Sequence, residues 1–429
     1  MEATVRNPFS PSRRGLLKAS AAVSGAAIIS AMGTNFAHAA GAAGVLKIGL
    51  IGCGARGRGA VANALEADAQ TKLVALGDLF PDAMDDCLKQ YADRPKDRYD
   101  LHKDRCFVGW DAYQKVLATD IDIVILATPP GFRPMMVKAA VEAGKHVFAE
   151  KPCAVCPTGV RMVLEAAELA EKKGLAFVGG TQRRHQASYI DVVKRLHDGA
   201  IGKLVAGHGY WMQGGLWMKP RKPEWSDMEW QVRNWAYFTW LSGDTLVEQA
   251  IHQVDVMNWV MGGPPRLAVG MGGRQVRTDP AYGHIYDHFA IDYEYPSGAR
   301  VTLMSRQTDN AYNRIGESAI GTRGTAFPSG RIKPFEGEEY RYEGEGNNPL
   351  VQEHADLIAS VRAGKPLNVG KRFAESILTG IMGRMSAYTG QPVTWDFALK
   401  SKLDLTPRKL EFGDAPMPPV AMPGVDKLI

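Results

Sequence analysis

A glycine-rich turn separates an apolar run at residues 46–51 from a segment whose helical character begins near Ala60. The turn is Gly52-Cys53-Gly54-Ala55-Arg56-Gly57, and a strand, such a turn and a helix form a dinucleotide-binding fingerprint. Gly52 would make the tight turn, Gly54 would let the backbone approach a pyrophosphate, and Gly57 would let helix and strand pack closely. The N-terminus of the following helix would offer unpaired N–H groups to the phosphates, and Ala55 and Arg56 of the turn are further candidate cofactor contacts.

The candidate partner of this turn is Asp78, which ends a second apolar run and lies 21 residues after Gly57. A carboxylate at this spacing accepts hydrogen bonds from the ribose 2′-hydroxyl and repels a 2′-phosphate. No arginine follows in residues 79–84. We therefore expect NAD, with NADP less favoured.

The N-terminal 39 residues have the form of a twin-arginine export signal. Arg13-Arg14 precedes an uncharged stretch from Ala21 to Ala31, and Ala37-His38-Ala39 supplies small residues for a signal peptidase. The apolar stretch is too short to span about 30 Å of hydrocarbon. The sequence thus predicts a periplasmic or otherwise exported protein without a stable membrane anchor.

Charge and cysteine content exclude some classes of function. The chain has 51 basic and 46 acidic side chains, of which four basic and one acidic lie in residues 1–39, so the remainder carries a net charge of +2. Nothing in this balance predicts nucleic-acid binding. Cys153 and Cys156 have redox-motif spacing; two small packed residues are the favoured interpretation, and a disulfide stays open. No set of metal ligands has fitting spacings, so no metal is expected.

Strands and helices alternate through the first half of the chain. Apolar strands are predicted at 121–127, 146–149 and 175–179, with helices at 134–143 and 159–173. This alternation predicts a doubly wound α/β Rossmann domain over residues 45–180, with ligands at the carboxyl ends of its strands. Asp78, Thr128 and Lys151 all follow such ends.

With Glu150-Lys151-Pro152 after the glycine turn and Ala127-Thr128-Pro129-Pro130, the chain resembles the Gfo/Idh/MocA oxidoreductases, the group of glucose–fructose oxidoreductase and inositol dehydrogenase. The resemblance implies that Lys151 reaches a substrate hydroxyl beside the nicotinamide and that the following proline is often in a cis bond. It also implies cofactor contacts at Thr128, Pro129, Glu150 and Lys151.

The second half predicts an α+β domain with a large, mostly antiparallel open sheet. Strand-like segments at 205–211, 289–295 and 300–305 include a hairpin turn at Pro296-Ser297-Gly298. We expect this substrate and oligomerisation domain to cover residues 181–412, with two helices within 353–389 and an irregular tail at 413–429. Family members often use the sheet for dimer or tetramer contacts, so a homodimer or homotetramer is expected.

The candidate catalytic residues are Lys151, His252 and Glu248. Residues 244–255 have helical character, which would place Glu248, His252 and Asp255 on one face. This resembles the family's D-x-x-x-H-x-x-D stretch, with Glu248 where many members have Asp; Glu248 either touches substrate or orients the histidine. His252 would take the hydroxyl proton, Lys151 would stabilise the alkoxide, and Glu248 would stabilise the imidazolium.

The substrate is predicted to be a sugar or glycoside. Six of the nine tryptophans lie within residues 211–240, and residues 212–236 look like a long charged loop. Trp faces pack on sugar rings. A flap or an oligomer contact is an equal alternative for this segment. Candidate substrate contacts are Arg183, His185, Trp235 and Asp255, although 182–185 also fits a plain interdomain hinge.

Export suggests that the cofactor is tightly bound and recycled, because no dinucleotide pool is expected outside the cytoplasm. The favoured prediction is a sugar oxidoreductase acting on CH–OH groups. One alternative is an NAD-dependent glycoside hydrolase that acts by transient ring oxidation and elimination. Another is a non-catalytic sugar-binding protein with NAD as a structural element.

Overall fold

The computed structural model describes residues 44–429, and the predicted export signal lies outside the described residues. No helix in the described part of the chain has the length and hydropathy needed to cross a membrane.

The first sheet is entirely parallel and has the strand order β3-β2-β1-β4-β5-β6. Its central strands are apolar because helices cover both faces. The predicted Rossmann fold is confirmed, with the first helix beginning at Ala55 rather than near Ala60. The strands are β1 Leu46–Ile51, β2 Thr71–Asp78, β3 Cys106–Val108, β4 Ile123–Leu126, β5 His146–Ala149 and β6 Phe177–Gly179. The helices are α1 Ala55–Ala67, α2 Pro81–Tyr91, α3 Ala112–Leu117, α4 Arg133–Glu142 and α5 Pro157–Lys172.

The second sheet has nine strands in the order β14-β13-β12-β11-β7-β10-β9-β8-β15. Every neighbouring pair is antiparallel except β7 and β10, so the predicted mostly antiparallel sheet is confirmed. Its strands are β7 Leu204–Gln213, β8 Leu267–Gly273, β9 His288–Glu294, β10 Arg300–Gln307, β11 Arg314–Gly321, β12 Gly324–Phe327, β13 Arg331–Pro334, β14 Tyr340–Arg341 and β15 Val393–Thr394.

Eight further helices accompany this sheet in the described chain, and the segment predicted as a loop contains one of them, α7. Residues 401–429 form no helix or strand. The helices are α6 Ala187–His197, α7 Asp227–Arg233, α8 Thr239–Ser242, α9 Asp244–Glu248, α10 Ile251–Met261, α11 Pro349–Arg362, α12 Gly370–Thr389 and α13 Trp395–Lys400.

Helices α11 and α12 join the two domains. Helix α12 is almost completely buried: Phe373 meets Phe177 of β6 edge to face at 6.4 Å, and the α12 residue Ser386 accepts the Gly270 N–H of β8 at 2.8 Å. Helix α11 packs on α1, and its Arg362 bonds to Asp68 at 2.8 Å. These contacts place α9 and α10 beside the carboxyl ends of the parallel strands, where β5 leads into Lys151.

Candidate functional site

Two positions of the glycine turn have no room for a Cβ atom, whereas the third does. Gly52 has φ +98°, and a Cβ there would lie 2.6 Å from the Ala127 carbonyl carbon. A Cβ on Gly57 would lie 1.9 Å from the Gly52 oxygen. A Cβ on Gly54 would have no atom within 4 Å, although Gly54 lines a cavity. The turn therefore leaves backbone open to a ligand where the fingerprint requires it.

Asp78 lies beside this turn at the end of β2. Its Oδ2 accepts the Cys53 N–H at 2.6 Å and its Oδ1 accepts the Phe80 N–H at 2.9 Å. Burial raises the pKa of this carboxyl. Asp78 also lines the cavity, which suits recognition of a ribose hydroxyl.

The cavity has a volume of about 600 Å³, within the range of small-molecule sites. Most of the predicted cofactor residues line this cavity, namely those at the ends of β2 and β4 and most of those in the turn. Three of them do not line it: Gly57, Glu150 and Lys151. Later segments of the chain supply a further wall, of which only Trp235 was predicted, as a substrate contact. The predicted lining residues are Gly52, Gly54, Ala55, Arg56, Asp78, Thr128 and Pro129. The wall comprises Trp217, Lys219, Val232, Arg233, Trp235 and Leu410.

Arg56 connects the turn to two buried carboxyl groups. Its Nε donates to Glu150 Oε1 at 2.5 Å, and its Nη2 lies 3.8 Å from Glu353 Oε1. Burial, with the nearby Glu150 charge, raises the pKa of Glu353 well above its usual range. Glu353, on α11, was missed because one glutamate on an amphipathic helix gives no sequence signal.

Lys151 is held by the end of α9. Its Nζ donates to Glu248 Oε1 at 2.8 Å and to the Glu248 carbonyl oxygen at 2.6 Å. The Lys151–Pro152 peptide bond is cis, as the family resemblance implied. Glu248 therefore contacts Lys151, and within the described chain no hydrogen bond joins it to His252.

His252 does not share a continuous helix with Glu248. The predicted helix over 244–255 is wrong: it is two helices, α9 and α10, separated at residues 249–250. The His252 ring stacks on Trp211 of β7, with centroids 5.6 Å apart. Burial, followed by the charges of Lys151, Arg183 and Arg56, lowers the pKa of His252 well below its usual value. The imidazole is therefore neutral at pH 7.

Arg183 belongs to the same group of charges but is already paired. Its Nη1 bonds to Glu317 of β11, which also accepts from Tyr189 at 3.1 Å. The Gln253 amide oxygen, in the orientation that satisfies both groups, accepts from Arg183 at 2.8 and 3.0 Å. Arg183 thus adds positive charge near His252, while its Nη1 and Nη2 groups are already bonded to Glu317 and Gln253.

Two predicted substrate contacts are structural instead. Asp255 is 1% exposed and accepts from Arg184 at 2.8 and 2.9 Å and from Ser376 at 2.8 Å. His185 is 4% exposed, and its Nδ1 is bonded to Asp356 of α11. Both side chains are thus buried and bonded to other parts of the protein, and neither lines the cavity, so the structure gives no support for their predicted contact with substrate. Trp235 does line the cavity and meets Trp217 edge to face at 5.8 Å.

The cysteine pair is a packing feature. Cys153 and Cys156 are buried free thiols. Burial raises the pKa of Cys153 to about 12 and also raises that of Cys156. Within residues 44–429, no group of three or more His, Cys, Asp or Glu residues could hold a metal ion.

Comparison with known proteins agrees with this geometry. Scyllo-inositol 2-dehydrogenase (NAD(+)) of Bacillus subtilis is 26% identical over 220 residues, 51% of this chain and 58% of that protein. The 2,7-anhydro-N-acetylneuraminate hydratase of Escherichia coli is 27% identical over 187 residues, 43% of this chain and 45% of that protein. The matched regions span about half the length of these curated relatives.

Solved structures share the fold. An aldose-aldose oxidoreductase from Caulobacter crescentus, complexed with glycerol, superposes with a TM-score of 0.65 at 20% identity, covering 82% of this chain and 99% of that one.

Two family models match consecutive parts of the chain. The oxidoreductase-family NAD-binding Rossmann fold matches residues 46–180, and the GFO/IDH/MocA C-terminal domain matches residues 189–327. Together they cover more than half of the 429 residues. The chain therefore belongs to the GFO/IDH/MocA oxidoreductase family.

Proposed function

We propose that this protein is an NAD-dependent oxidoreductase that acts on a secondary hydroxyl of an uncharged sugar or polyol. The observations that carry the proposal are Lys151, held by Glu248 at 2.8 Å, the neutral His252, on which the charges of Lys151, Arg183 and Arg56 act, and the open dinucleotide turn that contains Arg56. A bound nicotinamide would supply the hydride acceptor for the oxidation. Gly54 and the α1 N-terminus would hold its phosphates, and Asp78 the adenosine ribose.

The residues of this chain would do the proton chemistry. His252 is neutral and accepts the hydroxyl proton. The Lys151 ammonium, fixed by Glu248, holds the reacting oxygen and stabilises negative charge that develops on it. The Trp211 ring fixes the plane of the imidazole.

Charge balance in the site favours an uncharged substrate. The three cations that act on His252 are each paired with a carboxylate: Lys151 with Glu248, Arg56 with Glu150, and Arg183 with Glu317. A sugar acid or phosphate would have to displace one of these partners, whereas hydroxyl groups need no net charge. Inositols and neutral aldoses are the first compounds to test.

A redox-neutral reaction is the second candidate. A hydratase is among the relatives, and the same proton and hydride chemistry run forward and back would give no net reduction of NAD. This candidate includes the glycoside hydrolase alternative, and product formation without net NADH would support it.

The test uses purified protein with its dinucleotide and a panel of inositols, neutral sugars, uronic acids and nitrophenyl glycosides. We expect a keto product from a neutral polyol or sugar in the wild type and none from a Lys151→Ala variant that still binds NAD. An active Lys151→Ala variant would refute the site assignment. Preference for the uronic acids would refute the charge argument.

Localisation and retention are part of the proposal. The twin-arginine pattern of residues 12–18 supports export, and an exported enzyme would need to keep its cofactor. Fractionation of cells that express the full chain, with an Arg13→Lys/Arg14→Lys control, tests export. Recovery of the wild type in the cytoplasm alone would count against it.

A homodimer or homotetramer is proposed through the open face of the second sheet. Met271 of β8 is 72% exposed there, and Met304 of β10 lies on the same face across Ala290. Light scattering that gives a monomer mass at micromolar concentration would oppose this assignment.

A further inference from the structure

One end of the cavity is covered by two segments from outside the Rossmann domain. They are residues 216–235, which contain α7, and residues 410–415 of the C-terminal tail, and we refer to them together as the lid. Trp217, Arg233, Trp235 and Leu410 of the lid line the same cavity as Gly54 and Asp78. The lid therefore forms part of the wall of the dinucleotide site.

Arg233 fastens the lid to the Rossmann domain. Its Nη1 and Nη2 donate to the two Asp82 carboxylate oxygens at 2.8 and 3.1 Å. Its guanidinium lies 3.8 Å from the centre of the Phe80 ring, and Glu229 holds Nε at 2.9 Å. Phe80 and Asp82 lie two and four residues after Asp78, so this attachment is at the end of β2.

Phe412 makes a second attachment. Its ring stacks on Phe80 with centroids 5.9 Å apart and lies 5.3 Å from the Trp110 ring. The tail is also tied to α7, because Met228 N–H donates to the Gly413 oxygen at 3.1 Å and Gly413 N–H donates to Ser226 Oγ at 3.2 Å. The two parts of the lid are thus joined to each other as well as to the Rossmann domain.

We propose that the lid closes over the adenosine end of the bound dinucleotide and that the Arg233–Asp82 pair and Phe412 set its rate of release. This inference rests on the proposed function, because Asp78 is assigned to the adenosine ribose there. A dinucleotide held in the cavity cannot leave past β2 until the lid detaches from Phe80 and Asp82. The two attachments are positioning contacts, since neither lies at the reacting atoms.

Asp82→Asn and Phe412→Ala each remove one attachment. Asp82 is exposed, so its replacement leaves the core intact. Asp85→Asn is the matched control for charge, because Asp85 is an exposed carboxylate on the same helix, α2. Phe335→Ala is the control for Phe412→Ala, since Phe335 is also an exposed aromatic.

The measurement is NADH release from preloaded full-length protein, followed by the loss of bound-NADH fluorescence when excess NAD⁺ is added. We expect Asp82→Asn to speed NADH release about threefold, because an exposed ion pair contributes little free energy. We expect Phe412→Ala to speed it about tenfold, because the aromatic packing on Phe80 and Trp110 is lost. The two controls should release NADH at the wild-type rate. Equal rates in all five proteins would overturn the lid, as would controls that are as fast as the lid variants.

The outcomes also separate this inference from the proposed function. Slow release that the lid variants accelerate, without any sugar oxidation, supports the lid and refutes the oxidoreductase. Sugar oxidation with lid variants that release NADH normally refutes the lid alone. A wild type that does not bind NADH refutes both.

Discussion

Alanine in place of Gly54 separates the cofactor role of the turn from its role in folding. Gly54 has φ −65° and ψ 178°, which alanine adopts without strain, and its Cβ would contact nothing within 4 Å. A compatible Gly→Ala change stabilises by about 0.4–1 kcal/mol through the unfolded chain, and alanine is a weaker N-cap by a similar amount. The free energy of unfolding should therefore change by less than about 0.5 kcal/mol.

Dinucleotide binding should respond much more strongly. The added methyl group would occupy the space through which a phosphate reaches the backbone. Loss of one charge-assisted hydrogen bond costs about 1.5–3 kcal/mol, which is roughly a 10- to 150-fold weaker Kd. Calorimetric titration with NAD and thermal unfolding of the same samples give both quantities.

Two matched glycines complete the experiment. Gly57→Ala places a Cβ 1.9 Å from the Gly52 oxygen, so we expect a loss of about 1–3 kcal/mol of stability from overpacking. Gly346→Ala, where the Cβ is also unobstructed, should leave NAD binding unchanged and raise the free energy of unfolding by about 0.4–1 kcal/mol. A Gly54→Ala protein that binds NAD like the wild type, or that unfolds like Gly57→Ala, would show that Gly54 is not a phosphate contact.

Three further outcomes follow from the titrating groups. Burial lowers the pKa of His354 to about 3, so only the unfolded state binds a proton at this residue as the pH falls from about 6.5. The free energy of unfolding should therefore decline by up to about 1.4 kcal/mol per pH unit, and His354→Phe should remove that slope in urea titrations between pH 6 and 4. Asp244 has the opposite effect on stability, because burial raises its pKa to about 6 and the folded state binds its proton first as the pH falls from 6 towards 4. If the fold persists, Asp244→Asn should therefore make the decline of stability with falling pH steeper in the same urea titrations. Because burial raises the pKa of Cys153 to about 12, iodoacetamide at pH 8 should leave Cys153 unlabelled in the native protein and label it in urea, as mass spectrometry would show; fast native labelling would contradict its burial.

The sequence was sufficient to predict those parts of the site that depend on local spacing along the chain. Gly52, Gly54 and Gly57 belong to one turn, and Asp78 follows one strand later, so the path of the chain alone brings them together. Lys151 was predictable for the same reason, because it follows a parallel strand whose carboxyl end must lie at the same edge of the sheet. These elements and the all-parallel first sheet needed no long-range information.

Local periodicity failed at the helices of the second domain. Residues 244–255 have an uninterrupted helical pattern, yet the helix is interrupted between Glu248 and Ile251. Glu248 consequently turns to Lys151, 97 residues away in the chain, instead of to His252. A residue's role in such a site depends on which charge lies opposite, and spacing along one helix does not contain that information.

The chain thus determined by itself that a dinucleotide site exists, because the glycine turn, Asp78 and the strand ends are joined by short segments. Only the tertiary structure decided which charges are free to act. Asp255 is bonded to Arg184, 71 residues away, His185 Nδ1 to Asp356, 171 residues away, and Asp82 to Arg233, 151 residues away. Burial and ion pairing are properties of groups brought together by folding, so they set the neutral state of His252 and the attachment of the lid, which no local pattern encodes.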